Sequence, residues 1–244
     1  MSETYLWVAL GWLLGGVFNG IAGFGAALVA MPLVLPRLPA SVAVPACTLT
    51  VMTLNSQMFW RYRHAARLPS LRPLLFGAVP GAFAGVLVLQ GFPDYWLRLG
   101  LGTLLVVYSL WGLFLERSRH GQAASCWGLL AGFLSTLFGT AFGINGPPLV
   151  VYSTLSDWTQ VEIKSALGVF FLITGAIMVS VQTMAGLQSL NSVQLFAVSL
   201  PAVLTGWCLG NRIARCLQER TFRKVLFLAL LIMGGNMVWK VLLA

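Results

Sequence analysis

Two glycine-rich runs are the parts of this 244-residue chain whose residue types and spacing could bind a ligand. The first is Gly20-Ile-Ala-Gly23-Phe-Gly25, and the second extends from Phe138 to Pro148. Each run interrupts a long apolar segment. A helix that restarts after such a break has unpaired backbone N–H groups and partial positive charge at its N-terminus, and glycine lets a ligand approach that backbone closely. The two runs therefore favour the binding of an anion.

The candidate substrate-binding residues lie on these two runs and on one further apolar segment. They are Gly23, Gly25, Ala26 and Ala27 on the first run, Gly139, Thr140, Gly143, Asn145 and Gly146 on the second, and Asn55. Asn55 and Asn145 are the best side-chain candidates, because an amide inside a membrane is costly without a partner. Glycines at helical spacing can instead serve only close helix packing, and we prefer that interpretation for the pairs Gly16/Gly20 and Gly81/Gly85.

Composition sets the class of protein that carries these runs. Hydrophobic residues make up 58% of the chain and charged residues only 9%, whereas a soluble domain has roughly 25% charged residues. This excludes an ordinary water-soluble fold, and the high hydrophobicity excludes disorder. The sequence predicts one integral membrane domain, an all-α polytopic protein with transmembrane helices of about 20 apolar residues each.

The apolar segments divide the chain into two similar halves. There are eight segments, at about 5–36, 42–60, 73–92, 95–115, 124–155, 163–183, 192–211 and 222–243. At a shift of 116 positions the first segment resembles the fifth, with Gly23 falling on Gly139. Pro80 with Gly85 is echoed by Pro201 with Gly206. These matches predict an N-terminal transmembrane repeat at 1–118 and a C-terminal repeat at 119–244.

The positive charges favour hairpins in the two broken segments. If all eight segments crossed the bilayer, the 15 Lys and Arg side chains would divide almost evenly between its faces, although bacterial membrane proteins concentrate them in the cytoplasm. If the broken segments instead re-enter on one side, twelve lie on one face and three on the other. We therefore predict two inverted repeats, each a re-entrant hairpin plus three crossings, as in many secondary transporters. Both termini would be periplasmic, and the loop at 61–72 cytoplasmic.

The expected hairpins are short. Two equal arms of about 15 residues would each extend roughly 22 Å, which is less than the hydrocarbon core of about 30 Å but passes its midplane. Hairpins that enter from opposite faces could then bring their tips together near the centre of the bilayer. Peptide groups at such tips must face protein or a wet cavity, because lipid cannot hydrogen-bond to them.

Several other classes of function lack the residues that they need. The carboxylates all lie at or near segment ends, and Cys47, Cys126, Cys208, Cys216, His64 and His120 form no metal-ligand spacing. We therefore predict no enzyme activity, metal or cofactor. The net charge of +9 is spread over loops, which is typical of membrane topology rather than nucleic-acid binding. A homodimer could form through exposed aromatic and small-residue faces, although these could equally face lipid.

The glycine-rich runs resemble the TauE/SafE family, the sulfite-exporter-like membrane permeases. The family pattern is roughly G-x-x-G-x-G-G-G followed by an apolar stretch and proline, once in each half. Here it corresponds to Gly20 through Ala27 up to Pro32, and to Phe138 through Gly143 up to Pro148. The resemblance implies multi-pass insertion in a bacterial inner membrane and transport of small sulfur-containing anions, such as sulfite, sulfoacetate or related organosulfonates. An anion channel and a non-transporting membrane assembly subunit are the alternatives.

Overall fold

Helices dominate the residues that this computed structural model describes, which are 2–62, 68–115, 125–154, 160–214 and 219–243. The helices are α1 (Ser2–Ala22), α2 (Ala26–Val34), α3 (Ala40–Tyr62), α4 (Leu68–Gly91), α5 (Asp94–Leu110), α6 (Ser125–Phe142), α7 (Gly146–Thr154), α8 (Gln160–Met184), α9 (Leu190–Ile213) and α10 (Glu219–Leu242). A π-helical turn, Trp111–Leu115, continues α5.

Six stretches within the described residues are long and apolar enough to cross a membrane. By length and composition they are Glu3–Ala22, Leu71–Gly91, Asp94–Phe114, Glu162–Met184, Leu190–Ile213 and Lys224–Leu242. The protein is therefore an all-α polytopic membrane protein, which confirms the class predicted from composition. The predicted cytoplasmic loop at 61–72 lies partly outside the described residues, at 63–67.

Both glycine-rich runs break a helix where the sequence predicted a break. Residues 23–25 separate α1 from α2, and residues 143–145 separate α6 from α7. Gly23, Gly25 and Gly143 have φ angles of 83°, 96° and 78°. Residues with a side chain rarely adopt this left-handed backbone conformation. Glycine at these positions therefore allows one helix to end and the next to begin in a new direction.

The arms of the two broken segments are unequal, so the expectation of equal arms is wrong. Helix α1 has 21 residues and α2 has nine, while α6 has 18 and α7 nine. At 1.5 Å per residue, α1 is about 31 Å long and α2 about 13 Å. The reason is that the positive-φ glycines, which determine the break, come late in each apolar segment rather than at its midpoint.

The backbone also corrects the alignment of the two breaks. The N–H of Gly23 donates to the carbonyl oxygen of Asn19 at 2.7 Å, and the N–H of Gly143 donates to that of Gly139 at 3.0 Å. The same closing turn therefore ends α1 at Gly23 and α6 at Gly143, a shift of 120 positions. The sequence alignment paired Gly23 with Gly139 because it followed glycine identity, whereas the turn geometry pairs it with Gly143.

The helices form two compact units. The first consists of Met1–Ala43, Phe92–Glu116 and Leu190–Ala244, and the second of Val44–Gly91 and Arg117–Ser189. Each unit therefore combines segments from both halves of the sequence. The repeats at 1–118 and 119–244, and their inverted orientation, stay predictions about the sequence halves.

Glycines let one pair of helices pack closely in each unit. In the first unit α1 packs along α9, and a side chain on Gly16 or Gly206 would collide with a backbone carbonyl of the other helix. In the second unit α4 packs along α6, where a side chain on Gly81 or Gly85 would do the same. The packing interpretation of the pairs Gly16/Gly20 and Gly81/Gly85 is thus confirmed.

A candidate site beside the second helix break

A small cavity within the second unit adjoins the break between α6 and α7. Three elements line it, namely α3 with Thr48, Val51, Met52 and Asn55, the end of α6 and its turn with Gly139, Gly143 and Asn145, and α8 with Gly175 and Met178. The cavity volume is about 10 Å³, which is close to the smallest space that holds one water molecule. The site is therefore closed in this conformation.

Helical periodicity explains how α3 and α8 present these side chains. The lining residues of α3 lie at positions i, i+3, i+4 and i+7, counted from Thr48, and so share one face. Gly175 and Met178 are three residues apart on one face of α8. A side chain at Gly175 would meet Met52 Cγ at 3.5 Å, so the two faces come together at the cavity.

The side-chain amides of Asn55 and Asn145 are polar groups in this wall that have no hydrogen bond to the described part of the protein. Their residues are only 6% and 8% exposed, yet within the part of the chain that the structure describes neither amide has a hydrogen-bond partner. Their amide atoms keep accessible surface, which opens into the cavity. Since both residues line one cavity, a water molecule or a polar solute there would satisfy them.

Hydrogen bonds to backbone carbonyls position the break. The Ser135 hydroxyl donates to the carbonyl oxygen of Asn145, and the thiol of Cys47 donates to that of Gly143 at 3.4 Å. The N–H of Ile144 donates to the carbonyl oxygen of Phe138 at 3.3 Å. These contacts hold the turn against α6 and α3 through its backbone and leave the Asn145 side chain free for the cavity.

The N-terminus of α7 offers fewer backbone N–H donors than we expected for the start of a helix. Pro147 and Pro148 occupy its first turn, a position that suits proline because the N–H groups there have no intrahelical acceptor. Proline has no N–H to offer a ligand, so two positions of this first turn contribute no backbone donor. The side-chain amides therefore carry more of any anion binding here than the helix terminus does.

Four of the ten predicted binding residues lie together on the cavity wall: Asn55, Gly139, Gly143 and Asn145. Gly146 is the first residue of α7. The Thr140 hydroxyl donates to the carbonyl oxygen of Thr136 at 2.8 Å, and its Cβ faces Gly85 of α4. The structure thus places Thr140 in helix packing rather than on this wall.

The other four predicted residues belong to the first unit. Gly25 precedes α2 in the left-handed conformation, and Ala26 and Ala27 form the buried first turn of that helix. Ala26 also packs closely on Gly15 of α1, where a side chain would collide with its carbonyl oxygen. A binding role for Gly23, Gly25, Ala26 and Ala27 stays a prediction.

The predicted binding residues include none from α8, and none of Thr48, Val51 and Met52 from α3. Gly175 and Met178 line the cavity, and Gln182 lies one turn further along the helix with 0% of its surface exposed. Gln182 donates through Nε2 to the Thr48 hydroxyl oxygen at 3.2 Å. The signal that could have found it is a glutamine inside an apolar segment, since such polar groups are costly in a membrane unless they have a function or a partner.

The described residues contain no group of three His, Cys, Asp or Glu side chains that could hold a metal ion. His64, His120 and Cys216 lie outside them. The cavity wall itself consists of uncharged residues. Its chemistry is therefore that of neutral hydrogen-bond donors and acceptors beside two methionine side chains.

Apolar spans together with broken helices, one of which lines a cavity, form the arrangement found in many multi-pass membrane transporters. The sequence matches the family described as sulfite exporter TauE/SafE over residues 8–237, and the chain therefore belongs to the TauE/SafE family. It is 25% identical over 238 residues to the probable sulfite/organosulfonate exporter TauE of Cupriavidus necator, a match that covers 92% of this chain and 90% of that protein. No solved structure matches the chain significantly.

Proposed function

We propose that this protein is a permease of the bacterial inner membrane that moves a small sulfur-containing oxyanion or organosulfonate, such as sulfite or sulfoacetate. Membership of the TauE/SafE family and the similarity to a probable sulfite/organosulfonate exporter support this substrate class. The observation that carries the proposal is the pair of buried, unpartnered amides of Asn55 and Asn145 in one cavity.

Neutral amides suit a site through which an anion must pass. Each asparagine carries two N–H donors, and hydrogen bonds from them replace part of the hydration that the anion loses on leaving water. An Arg or Lys at the same place would hold the anion more strongly and slow its release, since conduction needs binding weak enough to reverse. The wall carries no carboxylate that would repel the anion.

The cavity is too small for the proposed substrate in this conformation. A volume of about 10 Å³ is enough for one water molecule and not for a sulfur oxyanion. Binding therefore requires the wall to move, and Met52 and Met178 are the wall residues with long, flexible side chains. We propose that this conformation is a closed state, and that the cavity opens when these side chains change rotamer. The protein would then act by carrying its substrate, with no chemical reaction.

The test is flux into proteoliposomes that contain the purified protein, with sulfite, sulfoacetate and sulfate supplied in turn. We expect protein-dependent movement of sulfite or sulfoacetate that saturates with concentration. Flux proportional to concentration, together with single-channel conductance, would instead identify a channel. If none of the three anions moves, and none stabilises the protein in detergent, the permease proposal fails.

A further inference from the structure

Gln182 continues the cavity-facing side of α8 toward the end of that helix. It follows Gly175 and Met178 at seven and four positions, so the three residues share one face. Its side chain is fully buried, although glutamine is seldom buried without a partner. A buried amide one turn beyond the cavity is unexplained by packing alone.

A chain of hydrogen bonds connects Gln182 with the cavity on one side and with Gln188 on the other. Gln182 Nε2 donates to Thr48 Oγ1 at 3.2 Å, and Thr48 lines the cavity. Gln188 Nε2 donates to Gln182 Oε1 at 3.3 Å. Gln188 belongs to the segment that follows α8, two residues after Gly186, whose φ angle is 71°. The chain therefore extends from the cavity to the connection between α8 and α9.

The orientation of this chain follows from Thr48. Its hydroxyl proton is donated to the carbonyl oxygen of Val44 at 3.1 Å, so its oxygen can only accept from Gln182. The Gln182 amide must then direct its nitrogen toward Thr48 and its oxygen toward Gln188. Both glutamines thus direct N–H groups toward the cavity.

Within the described residues, one hydrogen-bonding group remains unpaired on each glutamine, a donor on Gln182 and an acceptor on Gln188. Gln182 gives one of its two N–H groups to Thr48, and the described residues supply no acceptor for the other. Gln188 Oε1 is buried and has no hydrogen-bond partner among the described residues. An anion or a water molecule can accept from the free N–H of Gln182, whereas Gln188 Oε1 needs a donor such as water.

We infer that Gln182 is a further substrate-binding residue, which donates a hydrogen bond to the anion as it moves between the cavity and the connection of α8 with α9, and that Gln188 marks the outer part of this route. The inference rests on the proposed anion transport. It adds a second site to that proposal, one helical turn from the cavity, with a neutral N–H donor facing the same substrate.

The experiment measures the concentration dependence of sulfite flux in proteoliposomes with wild-type protein and with Gln182→Glu and Gln182→Met. Gln182→Glu preserves shape but replaces the N–H donors with a carboxyl, and Gln182→Met removes both polar groups at similar length. We expect the KM to rise about ten-fold or more in Gln182→Glu, the scale of one hydrogen bond to a charged group, and several-fold in Gln182→Met. The matched control is Thr183→Val on the exposed side of α8, where the hydroxyl bonds only within its own helix; its KM should equal that of wild type.

A second measurement keeps the inference independent of how well any one variant folds. We expect Gln188→Leu to lower the maximal flux while sulfite still stabilises the detergent-purified protein as it stabilises wild type, because Gln188 lies outside the cavity. A wild-type KM in a folded Gln182→Glu or Gln182→Met protein, or undiminished flux in Gln188→Leu, would overturn the inference while leaving the permease proposal intact. Absence of flux in the wild type would refute both.

Discussion

A side chain at Gly139 would place its Cβ 2.8 Å from Sδ of Met178 and 2.9 Å from Cβ of Asn145. The space that a side chain at Gly139 would need is therefore already occupied by Met178 and Asn145. The absence of a side chain allows Met178 and Asn145 to lie against the same wall. The glycine is required by its neighbours rather than by an unusual φ angle, which distinguishes it from Gly143.

Gly139→Leu should abolish transport while membrane insertion continues. The added side chain must displace Met178 or Asn145, and so it deforms the wall that is proposed to bind the anion. We expect flux in proteoliposomes to fall more than about ten-fold, as expected when binding groups are misplaced by about 1 Å. The control is Gly235→Leu in α10, where nothing lies within 4 Å of the new Cβ; its flux should match wild type. Unchanged flux in Gly139→Leu would remove this wall from the site.

Cys47→Ala should lower the melting temperature of the purified protein. The substitution removes a buried side chain and the hydrogen bond from its thiol to the carbonyl oxygen of Gly143, which together cost about 1–2 kcal/mol. Thermal unfolding monitored by intrinsic fluorescence measures the change. Cys208→Ala serves as the comparison, because Cys208 is exposed and its loss should leave the melting temperature almost unchanged. Equal shifts for the two variants would show that the thiol does not stabilise the break.

Gly206→Val should reduce the yield of folded protein. A side chain at this position of α9 collides with the carbonyl oxygen of Leu13 and lies 3.0 Å from the backbone nitrogen of Val17, and a backbone cannot move aside as a flexible side chain can. Size-exclusion chromatography of detergent-solubilised protein would detect the loss as aggregation. A monodisperse peak of wild-type height would mean that α1 and α9 do not need this close approach.

The sidedness of the termini is a separate prediction. The excess of positive charge on one face favours cytoplasmic placement of that face, which puts both termini in the periplasm. Alkaline phosphatase, which is active only outside the cytoplasm, should be active when fused to the C-terminus. A cytoplasm-specific reporter should be inactive at the same position. The opposite pair of activities would contradict the hairpin topology.

The helix breaks could be predicted because glycine leaves a local signal. Gly23 and Gly143 lie in glycine-rich runs inside apolar segments. Their positive φ angles use the conformational freedom of glycine, which is the property from which the breaks were predicted. The length of each arm could not be predicted as well, because the turn forms at one particular glycine. Several others in the same runs, such as Gly20, serve helix packing instead.

Five of the nine residues that line the cavity were not among the predicted binding residues, for a different reason. Asn145 stands beside a break, so a local pattern indicated it. Gln182 becomes part of the arrangement only through tertiary contact with Thr48, 134 positions away. Thr140 shows the reverse case, since it stands in the glycine-rich run but its side chain packs toward Gly85. Helical periodicity in the sequence shows which face of its helix a residue occupies. It does not show which other helix packs against that face.

The central claim is that Asn55 and Asn145 remain unpartnered in the protein because they bind the substrate, and one variant pair tests it most directly. Asn55→Leu and Asn145→Leu replace an amide that has no hydrogen bond to the described residues by an apolar side chain of similar size, so each should leave the melting temperature within the equivalent of about 1 kcal/mol of the wild-type value. Each should also abolish both sulfite flux and the stabilisation of the protein by sulfite. A lower melting temperature with sulfite stabilisation and flux retained would show that the amides serve the fold, and would contradict the account.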